Sequence, residues 1–187
     1  MKRGSMALMQ APRLSDGRVT LGAYRLTDAR AHLAGEDGEH SFRFRMPPST
    51  LASVRRAIGA WQSDWRTGGT TRAFAIRSAG GRRLIGGCEL RIATAGGTAT
   101  VSDGEAQISY WVFPSHRRQG YGSRAVSLLA GWAFDELPIG SIIAYVEADN
   151  LGSRGVLTAC GFLEEGSRRW PDGVELLCYR RVRPGAG

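Results

Sequence analysis

The sequence predicts one α/β domain on a mixed, mostly antiparallel sheet with a single parallel strand pair and about four helices. Three observations carry this. Alternating apolar segments between residues 71 and 113, parted by Gly-rich turns, read as an antiparallel meander. The strand, helix, strand run that follows demands a parallel pair with a right-handed crossover. Apolar residues at 51, 54, 58, 61 and 65, and again at 126, 129, 130, 133 and 137, recur at helical spacing.

In chain order, "RVTLGAYRL" is a strand in which Val19 and Leu21 alternate with polar neighbours, and Thr27 or Asp28 is placed to cap the helix of "TDARAHLAG". The polar loop "GEDGEH" and the turn "PPST" lead to a long helix from Leu51. Gly68 and Gly69 end it, and Trp61 and Trp65 belong to its core face. Two strands in "TRAFAIRSAGGRRLIGGCELRI" precede the loop "TAGGTATVSDGE" and a third strand, "AQISYWVF", which Pro114 closes. A helix then runs to Pro138, "SIIAYVEA" is a strand, "LGSRGVLTAC" is a short helix stopped at Gly161, and "GFLEEG" pairs with "GVELLCYRRV". The domain is expected to span 9–187, with 1–8 a leader outside the fold and "RPGAG" a frayed tail.

Composition narrows the function. No apolar run approaches the ~18 residues of a membrane span, and "MKRGSMALMQAPR" lacks the apolar stretch of a signal peptide, so a cytoplasmic protein is expected. Cys88, Cys160 and Cys178 are odd in number and lack C-x-x-C spacing, which argues against a disulfide framework and a zinc site. No metal is expected. The formal charge of +8 is almost wholly arginine, Lys2 being the one lysine. The arginines form no dense tract and accompany no nucleic-acid-binding signature, so nucleic acid is not the expected partner.

The chemistry concentrates in "RRQGYGSRAV", Arg117 to Val126, a turn between a strand and a helix. A helix opening has unpaired N–H groups and the positive end of the macrodipole. Gly120 and Gly122 let the backbone approach a phosphate, and Arg117, Arg118 and Arg124 add charged donors. A pyrophosphate fits such a turn. The dinucleotide fingerprint does not match, since a meander precedes the turn and a third glycine is absent. The nucleotide-hydrolase loop fails too, because no Gly-Lys-Ser/Thr follows.

On these residues the chain resembles the GNAT superfamily of N-acetyltransferases. Arg117, Gly120 and Gly122 meet its [Arg/Gln]-x-x-Gly-x-[Gly/Ala] signature. Asn150, Ser153, Gly161 and Phe162 resemble the Asn-x-x-Ser…Gly-Phe pattern of its ribosomal-protein N-terminal acetyltransferase branch. The resemblance implies an acetyl-CoA-dependent N-acetyltransferase whose parallel strands splay to admit the pantetheine arm. Arg117, Arg118, Gln119, Gly120, Tyr121, Gly122 and Ser123 would bind pyrophosphate, and backbone groups of Trp111, Val112 and Phe113, with Asn150, would bind pantetheine. Ser153 would support the departing thiolate. A homodimer is compatible with the family.

The base is open at this level. Gln107 stands where relatives carry an acid, and Glu105 on the same strand or Glu89 on the preceding one are substitutes; a water-mediated base is the alternative. His116, His32 and His40 read as loop and helix residues. Glu36, Asp37 and Glu39 are placed to attract a cationic amine, and Tyr24, Trp61, Trp65 and Trp170 to wall its site. The expected acceptor is a protein N-terminal α-amine, with a small cationic amine such as an aminosugar or polyamine as the alternative. A non-catalytic acyl-CoA-binding module is the reading from another class.

Overall fold

The computed structural model describes residues 10–93, 101–170 and 172–185. The expected leader at 1–8 and most of the loop "TAGGTATVSDGE" lie outside them. Among the described residues, eight strands form one sheet in the order β1-β2-β3-β4-β5-β6-β8-β7. They are β1 (Leu14–Ser15), β2 (Val19–Gly22), β3 (Thr71–Ser78), β4 (Leu84–Ile92), β5 (Glu105–Val112), β6 (Ser141–Glu147), β7 (Leu163–Arg169) and β8 (Glu175–Val182). The pair β5 and β6 is parallel and the other neighbours are antiparallel, as the meander and crossover require.

Five α-helices occur among the described residues: α1 (Ala29–Gly35), α2 (Gly38–Arg43), α3 (Leu51–Thr67), α4 (Tyr121–Glu136) and α5 (Leu151–Ala159). The extra helix, α2, falls in the stretch read as a loop. Its start is made by the Asp37 side chain, which accepts from the His40 N–H at 2.9 Å. Six residues hold too little periodicity to be seen in sequence. The long helix α3 follows expectation. Thr50 and Ser53 form a capping box, and Gly68 ends the helix at φ 72°, a left-handed conformation that glycine adopts without strain.

Asp28 departs from its expected role. Its side chain does not cap α1; it accepts from the Arg25 N–H at 2.7 Å and holds the Arg77 guanidinium on β3 through bonds of 3.1 and 2.7 Å. The ion pair is buried. It fixes the start of α1 against the sheet, and thereby the wall that α1 and α2 build.

Two apolar clusters cover the two faces of the sheet. Ala125, Val126, Leu129, Ala130 and Ala133 of α4, with Leu157 of α5, pack on Cys88, Leu90, Ala106, Ile108, Ile142 and Ala144. Tyr24, Ala29, Val54 and Ile58 pack on Ala73, Ala75, Leu84 and Phe113 on the other side. Trp65 is core, as expected, donating from its indole to the Ala73 carbonyl at 2.9 Å.

Candidate functional site

The parallel pair is short. β5 and β6 register only at Glu105 with Ser141, Ala106 with Ile142 and Gln107 with Ile143, although both strands continue for four or five residues more. Past Gln107 they part like a fork. Backbone groups on the β6 side of β5 lose their ladder there, and such groups need other partners. A cleft of about 990 Å³ fills the fork, lined by β5 from Gln107 to Val112, β6 from Ala144 to Glu147, and the first turns of α4 and α5.

One end of the cleft meets the opening of α4. Gly120 is the residue before the helix, at φ 76°, and contributes no capping side chain to the first N–H groups. Arg118, at φ 58°, is one of two non-glycine residues with positive φ among those described, and it lines the cleft. Gly122 lies in the first turn of α4, where a Cβ would come into ordinary contact with Val156 of α5 at 3.4 Å. The turn therefore presents donors and positive charge to an anion, and a pyrophosphate-bearing ligand fits it.

Arg117 is used differently from the expectation. Its Nε donates to the Val112 carbonyl at 3.0 Å, and its Nη1 pairs with Glu39 at 2.7 Å and Asp37 at 2.9 Å. The signature arginine and two of the three acids expected to attract an amine thus neutralise one another. The Arg117 guanidinium holds the Asp37 carboxyl below the usual carboxylate range against the opposing effect of burial. The third acid, Glu36, lies against His32 at 3.1 Å and is not among the lining residues. Gln119 also stays outside, donating to the Ser115 carbonyl at 3.2 Å. Phe113 is buried in the second apolar cluster with its N–H given to Ile85, so it has no free donor for a ligand.

A strap crosses the other end of the cleft. From α2, Arg43 reaches Glu147 and Asp149 at the end of β6, and Arg45 reaches Glu147 at 3.2 Å and Asp172 in the β7–β8 turn. Sequence reading missed this, though basic and aromatic residues alternate in "FRFRM". The strap lays His40, Phe44 and Met46 over the fork, and Phe44 meets the Trp111 ring edge-on at 5.6 Å. Burial holds His40 below the usual imidazole range against the raising effect of Glu36 and Asp37. Of the expected aromatic wall, Trp170 lines the cleft; Tyr24 and Trp61 stack at 4.7 Å behind it.

Ser153 and Asn150 enter from α5. Asn150 caps the helix, accepting from the Ser153 N–H at 3.1 Å. The Ser153 hydroxyl donates to the Tyr110 hydroxyl at 2.9 Å, and that hydroxyl donates in turn to the Ser153 carbonyl at 3.0 Å. Burial raises Tyr110, keeping it protonated. Tyr110 was not singled out in the sequence, because in an alternating strand it reads as core.

The two carboxylates considered as base separate cleanly. Glu105 sits on the paired side of the fork, bonded to Arg180 and to the Ser141 hydroxyl at 3.1 Å, and it does not line the cleft. Burial raises it, but Arg180 and the Ser102 N–H prevail and hold it below the ordinary range. Glu89 does line the cleft. Its side chain is 15% exposed, opposite Ser109 on β5, and burial pushes its carboxyl up although Arg91 lies 3.7 Å away. Gln107 lines the cleft at the fork itself, and its Oε1 is buried with no donor among the described residues.

Residues 18–163 match the family model of the acetyltransferase (GNAT) domain. Probable N-acetyltransferase YjcK of Bacillus subtilis (strain 168) is 38% identical over 96 residues, 51% of this chain and 50% of YjcK. The match thus spans about half the length of that relative. Two solved structures share the fold. RimL, a ribosomal L7/L12 alpha-N-protein acetyltransferase in complex with coenzyme A, superposes with a TM-score of 0.74 at 15% identity, covering 91% of this chain and 98% of its own. The aminoglycoside acetyltransferase AAC(6')-Ib with coenzyme A gives 0.72 at 18% identity, covering 88% and 95%.

Proposed function

Because the chain belongs to the acetyltransferase (GNAT) domain family, we propose that the fork binds acetyl-CoA and passes its acetyl group to a primary amine, first of all the α-amine of a polypeptide. The observation that carries this is the splay of β5 from β6 directly beside an uncapped helix opening. Acetyl-CoA, when bound, supplies an activated thioester. The chain's residues do the rest. The first N–H groups of α4 and Arg118 hold the pyrophosphate, and the unpaired edge of β5 beyond Gln107 receives the pantetheine arm. Glu89 takes the amine proton as the amine attacks, and the Ser153 hydroxyl, whose proton Tyr110 accepts at rest, turns to donate it to the leaving sulfur. A thiol with a free pKa of ~8.5 needs little more than that hydrogen bond to depart.

Charge supports a monocationic acceptor. Four carboxylates, Glu39, Glu89, Glu147 and Asp149, line the cleft with five arginines, Arg43, Arg45, Arg91, Arg117 and Arg118. A polyamine or aminoglycoside finds no net negative wall there, whereas a peptide α-amine, with a pKa of about 7.7–8.0, arrives with an appreciable neutral fraction at pH 7. The test is thiol release from acetyl-CoA with tetrapeptides, a polyamine and an aminosugar. Release with the peptides is expected. Tight acetyl-CoA binding with no release from any amine would instead establish a non-catalytic binding module.

Two variants probe the cofactor end. Gly120→Val places a β-branched side chain at φ 76° where phosphate must approach, and acetyl-CoA affinity should fall at least tenfold, about 1.4 kcal/mol. Unchanged affinity by calorimetry in a folded variant refutes the pyrophosphate assignment. Ser153→Ala should lower kcat while leaving acetyl-CoA affinity within about twofold, since the hydroxyl acts on charge that develops only during the reaction. Equal kcat in the two proteins removes Ser153 from the chemistry.

A further inference from the structure

We propose that the protein dimerises through β7, the last strand of the sheet, which pairs antiparallel with the β7 of a second copy. The inference stands apart from acetyl transfer and is tested without it.

The backbone of this edge is open. β7 ends the sheet order, so no described strand takes the groups on its outer side. All seven of its residues, Leu163 to Arg169, are exposed. The Trp170 N–H donates to the Val174 carbonyl at 2.8 Å, so by the alternation of an antiparallel ladder Ser167 and Arg169 turn their own N–H and C=O outward. Such an edge is a template for another strand.

Its charges choose which strand. Residues 163–170 read "LEEGSRRW", with both acids before the midpoint and both arginines after it. Laid antiparallel against itself about the Gly166–Ser167 bond, the strand sets Glu164 opposite Arg169 and Glu165 opposite Arg168. A two-fold axis at that point repeats both pairs, giving four ion pairs across an isologous contact. A parallel copy would set acid beside acid and arginine beside arginine. The bulge between Glu164 and Gly166 and the charged edge discourage pairing with an unrelated strand, which leaves a second copy as the matching partner.

The side chains can take these contacts. Glu164 accepts from the Tyr179 hydroxyl and Glu165 from Arg180, each at 2.6 Å, yet the two remain 42% and 45% exposed. A carboxylate has about four acceptor sites, so one bond leaves room for more. Apolar surface agrees with the charges. Leu163 is 73% exposed, and the same pairing sets it opposite the partner's Trp170. Because Trp170 lines the cleft, each end of the contact lies beside one copy's cleft.

Sedimentation equilibrium measures the association directly. The wild-type protein should dimerise with a Kd that rises at least tenfold between about 0.1 M and about 1 M salt, since the screening length falls from about 10 Å to about 3 Å. Two double variants should each be monomeric: Arg168→Glu with Arg169→Glu, and Glu164→Lys with Glu165→Lys. Mixed in equal amounts, they should form a heterodimer, because every facing pair is then opposite in charge. Circular dichroism checks that each variant is folded, and a dimer recovered on mixing excludes misfolding as the cause of its loss. A wild-type protein that stays monomeric at low salt overturns the proposal. So does a dimer that persists in both variants, or a mixture of the two that fails to associate.

Discussion

Replacing Glu89 with glutamine is expected to lower kcat at least a hundredfold, about 2.7 kcal/mol of barrier, with acetyl-CoA affinity unchanged. The amide preserves size and hydrogen-bonding shape but cannot accept the amine proton. Of the two carboxylates open to that role, Glu89 lines the cleft, whereas Glu105 is committed to Arg180 outside it. The pH dependence has a definite sign. Burial raises the Glu89 carboxyl above its ordinary 4.5, so the acid limb of kcat should fall above the usual carboxylate range, with rate rising as pH climbs through it. That limb should disappear in Glu89→Gln. Stability should move the other way: a raised folded pKa means that the native state binds the extra proton, so this group's contribution is full at low pH and is lost as pH rises through the folded value. At pH 7 the variant should melt at or slightly above the wild-type temperature. A kcat within a few-fold of wild type would place the base elsewhere.

The largest effect on stability is expected at the other wall. Asp28→Ala should cost about 3–5 kcal/mol, because it leaves the buried Arg77 guanidinium without its carboxylate and the Arg25 N–H without an acceptor. For a chain of this size that is a drop in melting temperature of roughly 6–20 °C. Breaking one side should be worse than removing both, so Asp28→Leu combined with Arg77→Met should recover much of the loss. A drop below about 1 kcal/mol in Asp28→Ala would show that water reaches the Arg77 guanidinium. The same pair sets the start of α1, and Asp28→Ala should also raise KM for the amine by loosening the α2 strap.

Much of this molecule was legible along the chain. The meander, the crossover helix, the glycine stop of α3 and the glycine turn at 120 and 122 are local signals, carried by periodicity and by small residues that tolerate left-handed backbone. Together with Asn150 and Ser153 they were enough to reach the family. What tertiary structure decided was pairing. Arg117 and Glu39 lie 78 residues apart, as Arg43 and Glu147 lie 104 apart, and no local pattern tells a charged side chain which distant partner will neutralise it. So two acids of the first loop, Asp37 and Glu39, read as a lure for cations, are neutralised by Arg117 instead. Likewise Glu105 and Glu89 are equivalent strand carboxylates in sequence. They differ because β5 is paired with β6 at Glu105 and released from it past Gln107, and where two strands part depends on the whole sheet's packing. The sequence alone determined the elements and the cofactor turn; only the folded sheet decided which carboxylate faces the fork, because burial and register are properties of neighbours brought together by folding.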